Sequence, residues 1–226
     1  MAEELHRLPL ILASQSPRRR ELLTAAGWLF NVQVADVDEQ QHPGETPLAY
    51  VRRLAKAKAE AVAARQLQAN AVIVAADTIV VDGDEVLGKP ASLTEAEAML
   101  RQLRGRSHQV FTAVAVLHMG RGELLMDVCQ TDVQMRDYGD DELWRYVASG
   151  DPLDKAGGYA IQHSEFRPAS VTACYANVVG LPLCHLTRLL AQVGVSPRSN
   201  VPEQCQVATG YVCSVYSQIL NGVAVS

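Results

Sequence analysis

The hydrophobic pattern of the chain opens with a short apolar run over residues 8–12, which is typical of a buried strand. Ser16 then occupies a position suited to a helix N-cap, and Pro17 follows at the first helical position, where its missing N–H costs nothing. The helical pattern continues to Gly27, a common C-terminal stop. The pattern predicts a strand, a turn and a helix whose N-terminus is available to an anion.

A long helical pattern occupies residues 48–67, after Pro47 at its start. Apolar residues recur through it at the spacing of one helix face. Lys56 and Lys58 fall on different faces of this helix, so at least one of them can point inward.

The best-defined strand is the apolar run over residues 71–76, which is continuous enough to be central in a sheet. Asp77 and Thr78 interrupt the run, and we expect the strand to end at that point. In α/β proteins the carboxyl end of a strand is where ligands bind. The pattern resumes over residues 79–81 and turns back as a hairpin at Gly83.

The remaining pattern completes an α/β chain without internal repeats. It predicts a helix that starts at a Thr94–Glu97 capping box. Residues 201–226 show no clear period, and the simplest interpretation is a frayed or loosely docked extension. The domain is placed at 1–194, and residues 195–226 are an extension of unknown role. The other predicted elements are strands at 28–34, 85–87, 109–117 and 124–135, a short strand end at 159–162, and helices at 94–105, 140–147 and 181–192.

Composition and charge narrow the class of protein. The 226 residues are 48% hydrophobic, which suffices for one large domain or two lobes around a substantial core. A net charge of −5 argues against a protein that mainly binds nucleic acid or an anionic membrane. The sequence shows no secretory signal and no apolar segment of membrane-spanning length.

The five cysteines are scattered and form no C-x-x-C pair, so we expect neither a disulfide framework nor a zinc site. A reducing, cytoplasmic location is the default for such a chain. The sequence contains no P-loop, no G-x-G-x-x-G dinucleotide motif and no G-x-S-x-G nucleophile elbow.

Three arginines, Arg18 to Arg20, lie in the first turn of the first predicted helix, where the helix dipole disfavours cations. A bound phosphate would turn that cost into a gain. The alternative is that these arginines are exposed and pair with carboxylates elsewhere in the fold.

Other candidates combine cations with carboxylates, as polyphosphate hydrolysis requires for charge neutralisation and the positioning of water. Asp77 is the strongest single candidate, because a carboxylate directly after an apolar strand is costly unless it faces a polar site. The alternative is that Asp77 is a turn aspartate hydrogen-bonded to the backbone. For Glu39, Lys58 and Lys89 the alternative is simple solvent exposure. The candidates are Ser14, Arg18, Arg19, Glu39, Lys58, Asp77, Thr78, Lys89, Asp154, Lys155 and Gln162.

Five blocks then occur in order: Ala13-Ser14-Gln15-Ser16-Pro17-Arg18-Arg19, Ala76-Asp77-Thr78, Gly88-Lys89-Pro90, Asp154-Lys155-Ala156-Gly157-Gly158-Tyr159-Ala160-Ile161-Gln162 and Val179-Gly180-Leu181-Pro182. Over about residues 8–194 the chain closely resembles the Maf family of nucleoside triphosphate pyrophosphatases. The resemblance implies an α/β fold with a mixed elongated sheet flanked by helices, and two lobes around a central nucleotide-binding cleft, an architecture related to that of inosine triphosphate pyrophosphatases. It also implies cleavage between the α- and β-phosphates with Mg²⁺ or Mn²⁺.

The resemblance also implies roles for individual residues. Asp77 looks like the proton acceptor that activates water or a metal-linked equivalent, and Glu39 like a metal or water partner. The phosphate contacts would be Ser14, Arg19, Lys58 and Lys89. Arg18, Thr78 and Gln162 resemble the pyrimidine group, which acts on dTTP and UTP. The Gln162 amide is suited to the carbonyl and N–H groups of a uracil or thymine ring.

One departure bears on the substrate. After Gln162 the sequence lacks the glycine usual in the pyrimidine group, and residues 163–178 match the family poorly. Alternatives therefore remain: a pyrophosphatase for 7-methyl-GTP or another modified nucleotide, or a nucleotide-binding regulator of cell division. The expected partner is a small-molecule nucleotide, without stable nucleic-acid binding or membrane association. A homodimer is plausible by analogy with the family.

Overall fold

The computed structural model describes residues 8–162, 166 and 169–223, and its elements form an α/β fold with one mixed sheet flanked by helices. Residues 163–165, 167 and 168, part of the segment where the sequence departs from the family pattern, lie outside the described residues. The strands are β1 (Leu10–Leu12), β2 (Asn31–Val32), β3 (Val72–Asp82), β4 (Glu85–Leu87), β5 (Ser107–His118), β6 (Glu123–Met135) and β7 (Ala169–Val171). The helices are α1 (Pro17–Ala25), α2 (Pro47–Ala63), α3 (Leu93–Leu103), α4 (Asp140–Ala148), α5 (Tyr175–Val179), α6 (Leu183–Gln192), α7 (Val201–Thr209) and α8 (Tyr216–Leu220).

The sheet has seven strands in the order β2-β1-β3-β5-β6-β7, with β4 paired to the far end of β3. The strands β2, β1 and β3 run parallel to one another, whereas β5, β6 and β7 follow β3 as antiparallel neighbours. The three longest strands, β3, β5 and β6, form the elongated centre of the sheet. This confirms the mixed elongated sheet that the family resemblance implies.

The predicted end of the third strand at Asp77 is wrong, because β3 continues to Asp82. In the antiparallel ladder with β5, Asp77 pairs with Ala113 and Thr78 with Thr112. The backbone hydrogen bonds of this ladder carry the strand through both polar positions, while their side chains find partners in other elements.

The two faces of β3 serve two separate hydrophobic clusters, as the alternation of side chains along a strand requires. Val74 and Ala76 lie in the cluster that holds α1 and α6. Ile73 and Ala75 lie in the cluster that packs on α2. Asp77 therefore projects on the α2 side of the sheet and Thr78 on the α1 side.

Several boundaries differ from the sequence prediction. The helix α3 is capped two residues earlier than the Thr94–Glu97 box, since the Ser92 side chain accepts the Glu95 N–H. Strand β2 covers only Asn31–Val32. Residues 159–162 form an extended stretch and a turn rather than the end of a strand.

The expectation of a frayed or loosely docked extension after residue 200 is wrong. The helices α7 and α8 pack against α6, and Val201 and Ile219 are buried in the same cluster as the α6 leucines. The Ser199 hydroxyl donates to the carbonyl of Ala26, and Arg188 donates to the carbonyl of Ile219. No helix among the described residues is both long and apolar enough to cross a bilayer.

Candidate active site

Among the described strands, one edge of β3 is unpaired over part of its length, and a cleft lies next to this gap. The short strand β1 pairs with β3 only as far as Val74, and β4 begins to pair with it only at Val80. Over residues 75–79 no other described strand lies on that side of β3. A cleft of about 580 Å³ opens here, lined by all nine residues to which the sequence assigned a role: Ser14, Arg18, Arg19, Glu39, Lys58, Asp77, Thr78, Lys89 and Gln162.

On the α2 side of the cleft, Lys58 lies between two carboxylates. Its Nζ is 2.6 Å from Asp77 Oδ1 and 2.7 Å from Glu39 Oε1. Lys58 and Asp77 are buried, with about a tenth of each side chain exposed, whereas 56% of Glu39 is exposed. Lys56, on the other face of α2, pairs with Glu60 at the surface, so Lys58 is the lysine that points inward.

The loop that carries Glu39 is fastened to α2 by two residues that the sequence analysis did not single out. The Tyr50 hydroxyl donates to the carbonyl of Glu39 over 2.6 Å. Arg53 donates to the carbonyl of Gln40 and makes a bidentate pair with Glu45. In the sequence, the only sign that these residues act together is that Tyr50 and Arg53 lie about one turn apart on α2.

The electrostatic environment of Glu39 favours its ionised form. Burial alone would raise its pKa, but the hydrogen bond and charge of Lys58, with the charges of Lys89 and Arg19, lower it below the usual value. Glu39 thus presents a carboxylate to the cleft at neutral pH.

On the α1 side of the cleft, Arg19 is held by three groups of the protein. Its Nε donates to the carbonyl of Gly180 over 2.8 Å, its Nη2 to Thr78 Oγ1 over 3.0 Å, and its Nη1 to Ser14 Oγ over 3.4 Å. Burial lowers the pKa of the Arg19 guanidinium, while the charge of Asp77 opposes that shift. Two of its five N–H groups remain for a ligand.

The N-terminus of α1 has the predicted cap, because Ser16 Oγ accepts the Arg19 N–H. The two arginines here behave differently. Arg18 pairs with Asp154 at 3.4 Å, as in the alternative in which the arginines meet carboxylates, whereas Arg19 meets no carboxylate within ion-pair distance among the described residues. Lys155 also points into the loop around Asp154 and donates to Asp151 and Asp154.

Lys89 and Gln162 complete the rim of the cleft, and both are exposed. No carboxylate of the described chain lies within ion-pair distance of Lys89, although its charge contributes to the lowered pKa of Glu39. Lys89 and Arg19 are therefore the cations of the cleft that lack a direct carboxylate partner.

No three His, Cys, Asp or Glu side chains within residues 8–162, 166 and 169–223 are arranged to hold a metal ion on their own. Mg²⁺ is usually bound by one or two carboxylates, with water and substrate phosphates as the other ligands. Glu39 and Asp77, which share Lys58 and line the same cleft, fit that kind of donor set.

Comparisons with known proteins agree with the five blocks. The chain matches the family model described as "Maf: Maf-like protein" over residues 9–193. Three similar relatives carry the name "dTTP/UTP pyrophosphatase". That of Desulforamulus reducens is 44% identical over 83% of this chain and 97% of its own. That of Myxococcus xanthus is 49% identical over 82% and 93%, and that of Dehalococcoides mccartyi strain CBDB1 is 42% identical over 84% of each chain.

A solved structure, a nucleoside-triphosphatase (dITP/XTP pyrophosphatase) of Mycobacterium abscessus, aligns with a TM-score of 0.37 at 13% identity over 58% of this chain and 76% of that one. This likeness is too slight to carry an argument.

Proposed function

This chain belongs to the Maf family, and we propose that it is a pyrophosphatase for pyrimidine nucleoside triphosphates, dTTP and UTP, cleaving them between the α- and β-phosphates. The observation that carries the proposal is the arrangement around β3. A carboxylate–lysine–carboxylate group lies on one side of the strand and a fixed arginine on the other, and both face one cleft. The names of the relatives support the choice of substrates.

We propose that the triphosphate lies along the α1 side of the cleft. Arg19 and Lys89 supply positive charge, and Ser14 and the N-terminus of α1 supply further hydrogen-bond donors. The chemistry of phosphoryl transfer consists mostly of neutralising and positioning charged oxygens, so these groups account for binding and for part of the rate.

In this proposal Asp77 is the general base. Its Oδ1 is bonded to Lys58, and its Oδ2 has no hydrogen-bond partner among the described residues. Oδ2 would take a proton from a water molecule, whose oxygen attacks the α-phosphorus as the bond to the β-phosphate oxygen breaks. The products are the nucleoside monophosphate and pyrophosphate.

As the metal-linked alternative to that base, Asp77 together with Glu39 would hold the divalent ion, Mg²⁺ or Mn²⁺, that the family resemblance implies. When bound, such an ion would neutralise phosphate charge. Lys58 would keep the two carboxylates close together without the ion, since it bonds to both.

Arg18, Thr78 and Gln162 would distinguish the base. Gln162 is exposed at the rim, where its amide can both donate to and accept from a pyrimidine ring. Arg18 is paired with Asp154 through Nη1 alone and lines the cleft, so its other N–H groups remain for a ligand.

The test is a panel of nucleoside triphosphates incubated with Mg²⁺ and scored for pyrophosphate and for the matching monophosphate. We expect turnover of dTTP and UTP, with one pyrophosphate for each monophosphate. Preferential turnover of 7-methyl-GTP would keep the bond cleaved and overturn the proposed specificity. No turnover by folded protein would contradict the enzymatic function and favour a nucleotide-binding regulator.

A further inference from the structure

A series of hydrogen bonds, increasingly buried, leads from Arg19 into the centre of the sheet. Arg19 Nη2 donates to Thr78 Oγ1, which lies 2.9 Å from Thr112 Oγ1 in the neighbouring strand β5. Thr112 Oγ1 in turn donates to the main-chain oxygen of Asn177 in α5 over 3.0 Å. Thr112 and Asn177 are 0% exposed, so neither can touch a ligand in the cleft.

Along this series of hydrogen bonds, the donors determine to which atom each hydroxyl proton is directed. Thr112 gives its one hydroxyl proton to Asn177, so it can only accept from Thr78. Thr78 gives its proton to Thr112 and accepts from Arg19. As long as Thr112 is in place, the Thr78 hydroxyl has no proton to offer a ligand, so it holds Arg19 and can meet a base only as a hydrogen-bond acceptor.

The helix α5 holds Arg19 from a second direction. Asn177 Nδ2 donates to the carbonyl of Val110 and to Thr131 Oγ1, which fixes α5 to strands β5 and β6. The helix ends at Gly180, whose carbonyl accepts Arg19 Nε. Gly180 has φ +117°, a backbone conformation that residues other than glycine rarely adopt.

We infer that Thr112 is a positioning residue for phosphate binding: it orients the Thr78 hydroxyl, which then fixes the Arg19 guanidinium. The inference rests on the proposed function only in taking Arg19 as a phosphate contact. A guanidinium fixed before the ligand arrives loses little conformational freedom on binding, and that raises affinity. If Thr112 lost its hydroxyl, the Thr78 hydroxyl would lose the acceptor that holds it in place and could rotate away from Arg19.

The experiment compares Thr112→Val, which keeps the shape of the side chain and removes the hydroxyl, with Thr112→Ser, which keeps the hydroxyl. The readout is the affinity for inorganic pyrophosphate, measured by calorimetry on the full chain. We expect the valine variant to bind pyrophosphate roughly tenfold more weakly, the size typical of one hydrogen bond to a charged group. The serine variant should stay within about twofold of the wild type, because its hydroxyl can make the same bonds.

Thr187→Val is the control. It removes a half-buried threonine hydroxyl that donates to the carbonyl of Leu183 within α6 and belongs to none of the bonds around Arg19. If the loss of a threonine hydroxyl acts only through stability, both valine variants should bind pyrophosphate alike. A loss of binding in Thr112→Val that is absent in Thr187→Val supports the inference, and equal binding in the two overturns it.

A second measurement tests the route through Arg19. In an Arg19→Ala background, Thr112→Val should have no further effect on pyrophosphate affinity, whereas a full additional loss would overturn the inference. If Thr112→Val does not fold, Thr78→Val breaks the next link and should weaken pyrophosphate binding to a similar degree; unchanged affinity there contradicts the inference.

Binding is measured without turnover, so these outcomes are separate from those of the nucleotide panel. A wild type that hydrolyses dTTP while Thr112→Val binds pyrophosphate normally overturns the inference alone. A wild type that binds pyrophosphate and hydrolyses no triphosphate overturns the proposed function alone.

Discussion

Asp77 and Thr78 are neighbours in the chain but project from opposite sides of the sheet, because side chains alternate along a strand. Asp77 meets Lys58 of α2, and Thr78 meets Arg19 of α1. A shift of register by one residue would exchange the two environments and separate both pairs. At the scale of single residues, the cleft therefore depends on the register in which Asp77 and Thr78 pair with β5.

Asp77→Asn is expected to fold normally and to lose at least about a hundredfold in dTTP turnover, since a general base typically contributes that much or more. The substitution removes the charge with almost no change in volume. Asp84→Asn, in the exposed turn between β3 and β4, is the control and should keep wild-type turnover. Turnover of Asp77→Asn within a few-fold of that of the control would refute the role of Asp77 as the base.

Single residues of the site could be predicted where the sequence gives them an unusual setting. Asp77 after an apolar run and arginines at a helix N-terminus both stand out, and both lie in the cleft. Thr112 and Asn177 could not be found in this way. A threonine in an apolar strand is an ordinary strand residue, and its bond to Asn177 joins positions far apart in sequence.

At the scale of elements, the local signals at the start of α1 predicted that helix correctly, whereas long-range strand pairing could not be predicted. The Ser16 cap and the proline at the start of α1 act within a few residues, and the structure has both. Whether β3 continues beyond Ala76 depends on its hydrogen-bonded ladder with β5, and Asp77 and Thr78 give no sign of that pairing in the sequence. The start of α7 carried an Asn200 cap and a following proline, a local signal that the weak apolar period of the tail obscured.

The loop before α2 offers a prediction about one element positioning another. Arg53→Ala removes the bonds to Gln40 and Glu45 and should free the loop that carries Glu39. We expect kcat/KM for dTTP to fall several-fold with little change in global stability, because these bonds fasten an exposed loop and not the core. Arg52→Ala, an exposed arginine of the same helix, is the control.

The same variant has a titration signature. The hydrogen bond from Arg53 lowers the pKa of Glu45 to about 2. In Arg53→Ala the Glu45 carboxyl should titrate near the ordinary value of 4.5, which carbon NMR of the side chain measures directly. A Glu45 pKa that stays near 2 in Arg53→Ala would show that the loop is held by other contacts.

At the scale of the whole molecule, the C-terminal segment closes the core next to α6. Ile219 of α8 is 1% exposed, whereas Val207 of α7 is 74% exposed. Ile219→Ala should lower the free energy of unfolding by roughly 3 kcal/mol, the usual cost of such a cavity. Val207→Ala should change it by less than about 0.5 kcal/mol. Urea unfolding measures both, and equal stabilities would mean that α8 detaches from the core in solution.

The last prediction concerns the pH dependence of global stability, through His108 and Tyr159. The imidazole Nε2 of His108 lies 2.6 Å from the Tyr159 hydroxyl, and the side chain is 2% exposed. Burial lowers the pKa of His108 to about 4, although the negative charges of Asp82 and Asp132 act to raise it. The unfolded chain binds this proton near pH 6.5 and the folded protein does not, so stability is lost as the pH falls from about 6.5 to about 4.

That loss should approach roughly 3 kcal/mol for a shift of this size, at about 1.4 kcal/mol per pH unit for one proton. Urea unfolding of the wild type and of His108→Gln between pH 7 and pH 4.5 measures it. The glutamine variant cannot take up the proton, so its stability should fall less steeply with decreasing pH, even if it is lower at pH 7. Parallel slopes for the wild type and His108→Gln would mean that water reaches His108 and that its proton binds alike in the folded and unfolded chains.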